Sequence, residues 1–327
     1  MNQLIDLKDA RQWYQLCEII PQKINQDNCE DVFNIFIENV FQYHPISLTK
    51  CALSISRYYS IEKACDLLDK SISSIKDSSM YIGDFQMQVI HLEIQKYILL
   101  LENGNTTDVE KMIFEYKKIE MDTDVYNFYN FMAYKYYEST HNYEYCVRYL
   151  LEYVKMTNDV QYMEILAKYS LISKNFFNFV EVFSLESFNK INQDLYRTYV
   201  AVQEGNTKIF DEYKILLEKM FSDRWIIVRE KAYFIGLINL CFKQDERKIS
   251  FKVIQDELKI SEGDINSFLL KAFGLNLLKG WIDGHNKLLY FNTIIPRCLP
   301  KEELVKMMSK YDEWRIRVEK AIKMVEK

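Results

Sequence analysis

A chain of 327 residues, 49% hydrophobic and 15% aromatic, is long and apolar enough to bury a sizeable core, which excludes disorder of the whole. Only 8 Gly and 4 Pro interrupt it, and the 250 residues from Ile46 to Ile295 lack proline, so an all-β fold with its many tight turns is excluded too. The formal net charge of -5 divides into -10 over the first 224 residues and +5 over the rest, a mildly basic end that suits a subunit contact as well as a nucleic acid.

Seven cysteines, Cys17, Cys29, Cys51, Cys65, Cys146, Cys241 and Cys298, are odd in number and widely spaced, and the opening MNQLIDLKDARQW carries early acids in place of a basic leader. No run approaches the roughly 18 apolar residues that a membrane helix needs. The expectation is a soluble chain in a reducing compartment, cytoplasmic and nuclear. The sequon at Asn105-Thr106-Thr107 has no meaning without secretion.

In chain order, Ile61, Ala64, Cys65, Leu68, Ile72 and Ile75 form the first clear 3.6-residue stripe of an amphipathic helix. Tyr143, Cys146, Val147, Leu150, Leu151 and Val154 repeat it, with Glu144, Arg148, Glu152 and Lys155 opposite. Gly205-Asn206-Thr207 predicts the end of one helix and the capped start of another carrying Phe210, Tyr213, Leu217 and Met220. Short joints at Asn103-Gly104-Asn105 and Thr140-His141-Asn142, and the small-against-aromatic pair Ala133 and Tyr137, predict helical hairpins stacked as a degenerate, tetratricopeptide-like solenoid.

After Asp223 the pattern changes. A helix over about 224–242 leads to the β-inclined Lys248-Ile249-Ser250-Phe251, then a helix from Val253 to Leu258. Ser261 with Asp264 makes a capping box and Ile260 with Ile265 a hydrophobic staple, which predicts a helix from Glu262 with core residues Ile265, Phe268, Leu269, Ala272 and Phe273. Asp283-Gly284-His285-Asn286 between Lys279–Asp283 and Lys287–Phe291 predicts a hairpin. Helix, strand, helix, helix, hairpin is a winged helix. Beyond Pro296 and Pro300, a last helix from Lys301 carries Leu304, Met308, Tyr311, Val318, Ile322 and Val325 at alternating 3- and 4-residue steps, interrupted only by Arg315. Such a seam must be covered, and its separation by two prolines favours helices of other chains.

Reactive constellations are missing. His44, His91, His141 and His285 stand at no metal-ligand spacing, there is no C-x-x-C, and neither phosphate-cradling glycine loop occurs. Gly274, Gly280 and Gly284 read as the end of a helix and the turn of a hairpin. Acidic pairs such as Glu302-Glu303 and Asp312-Glu313 fall on solvated helix faces. Between Ser261 and Leu277 the only base is Lys271, against Glu262 and Asp264, so the helix that would read a nucleic acid is poorly equipped for it.

A helical-repeat body followed by a winged helix resembles the PCI domains shared by the proteasome lid, the COP9 signalosome and translation initiation factor 3. The segment from Ile249 to Trp314 resembles the C-terminal region of the 26S proteasome non-ATPase regulatory subunit 13 family, with its L-x-K-G-x-I-D wing at Leu277, Lys279, Gly280, Ile282 and Asp283 and its Pro-Arg-x-Leu junction at Pro296, Arg297 and Leu299. Weaker similarity runs through Arg11–Leu16, Asn39–Ser60 around Pro45, Tyr126–Leu150 and Phe176–Phe183. Against that family's pattern the expectation is a chain trimmed in its N-terminal and loop regions and without a tail beyond Lys327.

The resemblance implies a non-catalytic, end-position lid subunit with no catalytic, cofactor-binding or metal residues, supporting ubiquitin-dependent degradation. Its winged helix would meet neighbouring PCI subunits through Ile249, Phe251, Leu270, Trp281, Ile282 and Leu289. Its last helix would enter the lid's helical bundle through Leu304, Met308, Tyr311, Arg315, Val318, Ile322 and Val325, and the repeat arm would project toward a ubiquitin-receptor subunit. The implied organisation is all-α: a repeat arm over 1–172, a PCI domain over 173–297 with its helical part at 173–223 and winged helix at 224–297, and an assembly helix over 298–327. The alternatives are a scaffold of another PCI complex, or a nucleic-acid-binding winged helix using Lys271 and Lys287.

Overall fold

The computed structural model describes residues 2–26, 28–77, 84–207, 210, 213–244, 246–295 and 301–325, with side chains at all of these except 2, 301–304, 306, 307 and 325. The chain divides into two compact units, Met1–Tyr162 and Met163–Lys327. The division falls inside the helix Val160–Ile172, upstream of the 172/173 boundary expected from sequence.

The first unit is a helical-repeat array: α1 (Asn2–Asp9), α2 (Trp13–Lys23), α3 (Cys29–Glu38), α4 (Pro45–Ser56), α5 (Ile61–Asp77), α6 (Gln86–Glu102), α7 (Val109–Tyr116), α8 (Thr123–Ser139) and α9 (Tyr143–Thr157). Packing is serial, α2 on α4, α4 on α5 and α6, α6 on α8 and α8 on α9, so each stripe is covered by near neighbours in sequence. In α5 the residues Ala64, Leu67, Leu68, Ile72 and Ile75 are buried, and in α9 Cys146, Val147, Leu150, Leu151 and Val154. Both follow the predicted stripe. The joints turn where the sequence is polar, through Gly104 at φ +77° and His141 at φ 57°.

Aromatic rings lock the α8–α9 hairpin. Ala133 and Tyr137 are both buried, and Tyr137 stacks on Tyr149 with centroids 5.6 Å apart and planes at 8°. Tyr129 meets the same ring edge-on at 5.9 Å, and its hydroxyl donates to the Ile113 carbonyl at 3.0 Å. Rings in such contact contribute about 0.5–1.5 kcal/mol each beyond their burial.

In the second unit α10 (Val160–Ile172), α11 (Phe179–Phe183), α12 (Gln193–Glu204) and α13 (Lys214–Phe221) precede the long α14 (Trp225–Phe242). The helix predicted to follow Thr207 is not continuous: among the described residues Phe210 is helical, and α13 begins at Lys214 after a bend at Tyr213. Phe210 and Leu217 are buried as the stripe requires, but Tyr213 is exposed. Gly205 ends α12 at φ +67°, and a Cβ there would lie 2.5 Å from Gly236 Cα, so two glycines allow α12 and α14 to approach backbone to backbone.

Lys231, on the buried face of α14, is 2% exposed. Its ammonium nitrogen donates to the carbonyls of Ser170 and Phe176, each at 2.7 Å, and lies over the rings of Phe177 and Phe179. One side chain thereby closes off α10 and the segment leading to α11 against the helix that opens the winged helix. Burial holds its pKa well below the ordinary lysine range.

The winged helix follows as β1 (Lys248–Ser250), α15 (Phe251–Leu258), α16 (Ile265–Gly274), β2 (Leu278–Asp283) and β3 (Leu288–Ile294), and α17 (Lys301–Val325) comes last. The strands form an antiparallel sheet in the order β1-β3-β2. Ser250 caps α15 by accepting from the Val253 amide, so that helix starts earlier than its apolar stripe. The helix predicted from Glu262 starts at Ile265 instead. The Ser261 hydroxyl donates to the Asp264 carboxylate at 2.7 Å, which occupies both ends of the expected capping box, and the preceding residues form a turn.

The hairpin is where it was predicted, but two glycines have other tasks. Gly284 does not adopt positive φ; the left-handed residue is Lys287 at 51°, and the Asp283 carboxylate accepts from the amides of His285 and Asn286 to shape the turn. Gly280 lies within β2 beside a register shift, where a Cβ would sit 1.9 Å from the Tyr290 carbonyl oxygen, so only glycine fits. Gly274 is the last residue of α16, as expected, while Asn276 takes the positive φ of the joint that follows.

Two outcomes follow. Between a folded pKa pushed down by burial and the unfolded value of about 10.4, the unfolded chain holds one more proton at Lys231, so stability should rise with pH through that window and fall as pH drops. Comparing urea midpoints of wild type and Lys231→Met at pH 7 and pH 9.5 should show the difference shifting toward wild type at the higher pH; a pH-independent difference contradicts this. Gly280→Ala should cost about 1–3 kcal/mol and weaken the near-ultraviolet signal of Trp281, and unchanged denaturation would count against the packing described.

Candidate assembly interface

Across the sheet, cross-strand pairing sets two rows of side chains. Ile249, Leu289 and Ile282 stand opposite one another on β1, β3 and β2, while Lys248, Tyr290 and Trp281 form the next row. Since strand side chains alternate between faces, adjacent rows point opposite ways. The first row turns to the helices: Ile249 and Leu289 are buried, Ile282 is half-buried, and Phe251 at the start of α15 is buried with them.

That placement corrects three expectations. Ile249, Phe251 and Leu289 fill the winged helix's own core, so their side chains do not face outward. Leu270 on α16 and Trp281 on β2 are exposed, at 62% and 53%. Trp281 lies flat against Tyr290, with centroids 5.0 Å apart and planes at 11°. Tyr290 went unnoticed in the sequence, although the alternation Leu289, Tyr290, Phe291 carries the signal, with the flanking pair buried and Tyr290 between them. Because β3 is central, β1 and β2 are the sheet's edge strands, and an edge offers main-chain donors and acceptors to another strand.

In α17 the side chains of Met308, Tyr311 and Trp314 are each about two-thirds exposed, Ile322 is half exposed and Val318 is less so. At 100° per residue these positions share one face of the helix. Leu304 and Val325 belong to the same helix, with side chains outside the described residues, as is the whole Pro296, Arg297 and Leu299 junction. Trp314, three residues after Tyr311 and four before Val318, widens the face beyond the seam read from sequence, in which Arg315 stands at that layer. Arg315 is exposed and its guanidinium stands 3.4 Å from the Asp312 carboxylate.

The two basic side chains that a nucleic-acid contact would use each stand beside a surface carboxylate. Lys271 pairs with Glu230 at 2.8 Å and Lys287 with Glu262 at 2.5 Å. His91 is half-buried against Phe128, and burial lowers its pKa. Among the described residues no three His, Cys, Asp or Glu side chains gather as a metal site, and no helix is long and apolar enough to cross a membrane.

No family model matches the chain. Similarity to curated proteins nevertheless runs from end to end. The 26S proteasome non-ATPase regulatory subunit 13 of Dictyostelium discoideum is 21% identical over 357 residues, covering 100% of this chain and 92% of that protein. The Arabidopsis thaliana 26S proteasome non-ATPase regulatory subunit 13 homolog A is 22% identical over 99% of this chain and 92% of its own length. The Saccharomyces cerevisiae 26S proteasome regulatory subunit RPN9 is 27% identical over 165 residues, 48% of this chain and 42% of that protein. The likeness spans both sequences, so over its whole length, a helical-repeat array followed by a winged helix, this chain is similar to 26S proteasome non-ATPase regulatory subunit 13 proteins.

Proposed function

We propose that the chain is a non-catalytic scaffold subunit of the proteasome regulatory-particle lid, serving ubiquitin-dependent protein degradation in cytoplasm and nucleus. The observation that carries the reading is the end-to-end similarity to relatives named as regulatory, non-ATPase subunits of the 26S proteasome. The physics of the surface supports it, since what the chain offers is uncovered apolar area.

On this reading the exposed face of α17 packs among helices of other lid subunits. Covering a large apolar side chain contributes about 1.5–3 kcal/mol, and Met308, Tyr311, Trp314 and Ile322 are available for it. Association costs on the order of 4–15 kcal/mol, so one helix is a marginal anchor and a second contact is needed. The winged helix supplies that contact, through Leu270, the Trp281–Tyr290 pair and the edge of β2 against a neighbouring PCI subunit. The repeat arm is left to reach toward a ubiquitin-receptor subunit. A role in another PCI complex would use the same surfaces with other partners. The nucleic-acid reading is disfavoured by the shortage of bases on the helix that would read it, where Lys271 stands alone against Glu262 and Asp264.

The test is co-purification through a tag on the chain. Removing residues 302–327 should lower the recovery of lid subunits about tenfold or more while leaving the melting temperature of the remaining chain unchanged. Recovery equal to wild type, or recovery of another complex's subunits in place of the lid's, contradicts the reading.

A further inference from the structure

Apolar layers alone do not tell a partner helix where to stop. Met308, Tyr311, Val318 and Ile322 recur at heptad spacing, so a neighbour shifted by one heptad meets nearly the same surface. Arg315 is the exception. It stands four residues after Tyr311 and three before Val318, on the face that has to be covered, and it is 67% exposed. Within the helix its guanidinium has an ion pair with Asp312 at 3.4 Å, longer than a good charge-assisted hydrogen bond, and both groups are solvated, so this pair holds it weakly. Asp312 itself lies about 60° round the helix from Arg315, toward the rim of the apolar face.

Resting on the reading of α17 as a packed assembly helix, we infer that Arg315 selects partner and register: the covering helices bring an Asp or Glu side chain to its layer. A guanidinium taken out of water without a carboxylate is strongly disfavoured, whereas one met by a bidentate carboxylate is held in a fixed geometry. Only one register then satisfies both the apolar layers and the charge, and a neighbour lacking the acid is rejected. The partner chemistry is thus an apolar helix face carrying one carboxylate, placed between the layers of Tyr311 and Val318.

The experiment uses the assembly purified through the full-length tagged chain. With Arg315→Lys, a carbodiimide that joins amines to touching carboxylates should link residue 315 to an Asp or Glu of another subunit, identified by mass spectrometry. With Arg315→Glu, incorporation should fall about tenfold and return when the linked carboxylate is replaced by Arg. Linkage to Asp312 alone, no linkage, or undiminished incorporation of Arg315→Glu overturns the inference. If removal of 302–327 leaves incorporation intact, the reading of the helix has failed; if that removal abolishes incorporation and the Arg315 variants do not, only this inference has.

Discussion

A helix that is apolar along one face must have that face covered, and this requirement organises the whole chain. In the first unit it is met locally, because each stripe finds its cover in a helix close by in sequence, from α4 on α5 to α8 on α9. In the second unit the inner face of α14 is buried so deeply that even Lys231 is taken inside and must find two carbonyls to donate to. At α17 the requirement is not met by the described part of the chain. Met308, Tyr311 and Trp314 stand in solvent, and on the function proposed above it is assembly that covers them.

The winged helix shows the same economy on a smaller scale. Its inner row is spent on its own core, through Ile249, Leu289 and Phe251, and only the outer row is left to offer to another molecule. Gly280 lets β2 lie close against β3 at the register shift, next to the residue that carries the stacked indole of Trp281. The turn beyond it is held by Asp283, whose carboxyl is kept below its usual range by hydrogen bonds from Asn286 and His285. Backbone geometry at one glycine and one carboxylate therefore fixes which aromatic surface faces outward.

Much of this was legible in the sequence, because helical periodicity is a strong local signal. The stripes of α5 and α9, the strand at Lys248–Ser250 and the hairpin around Asp283 all appear as read. What escaped depends on distances that periodicity does not encode. Lys231 finds its partners at Ser170 and Phe176, far back along the chain, and in sequence it is one more lysine on a helix. That Ile249 and Leu289 face inward follows only from the cross-strand register, which local sequence does not carry. The expected capping box failed because a serine hydroxyl can donate to the carboxylate it was to be paired with through the backbone. At α17 the sequence held the seam and its one charge, and the wider face made by Trp314 came from the structure.

Hydrogen exchange over residues 305–324, measured on the isolated chain and on the chain within its assembly, tests the account most directly. A helix with an uncovered face should exchange quickly alone and be strongly protected in the assembly, with the change concentrated around Tyr311 to Ile322. Equal, strong protection in both states would mean that the chain covers this face by itself, and the account would be wrong.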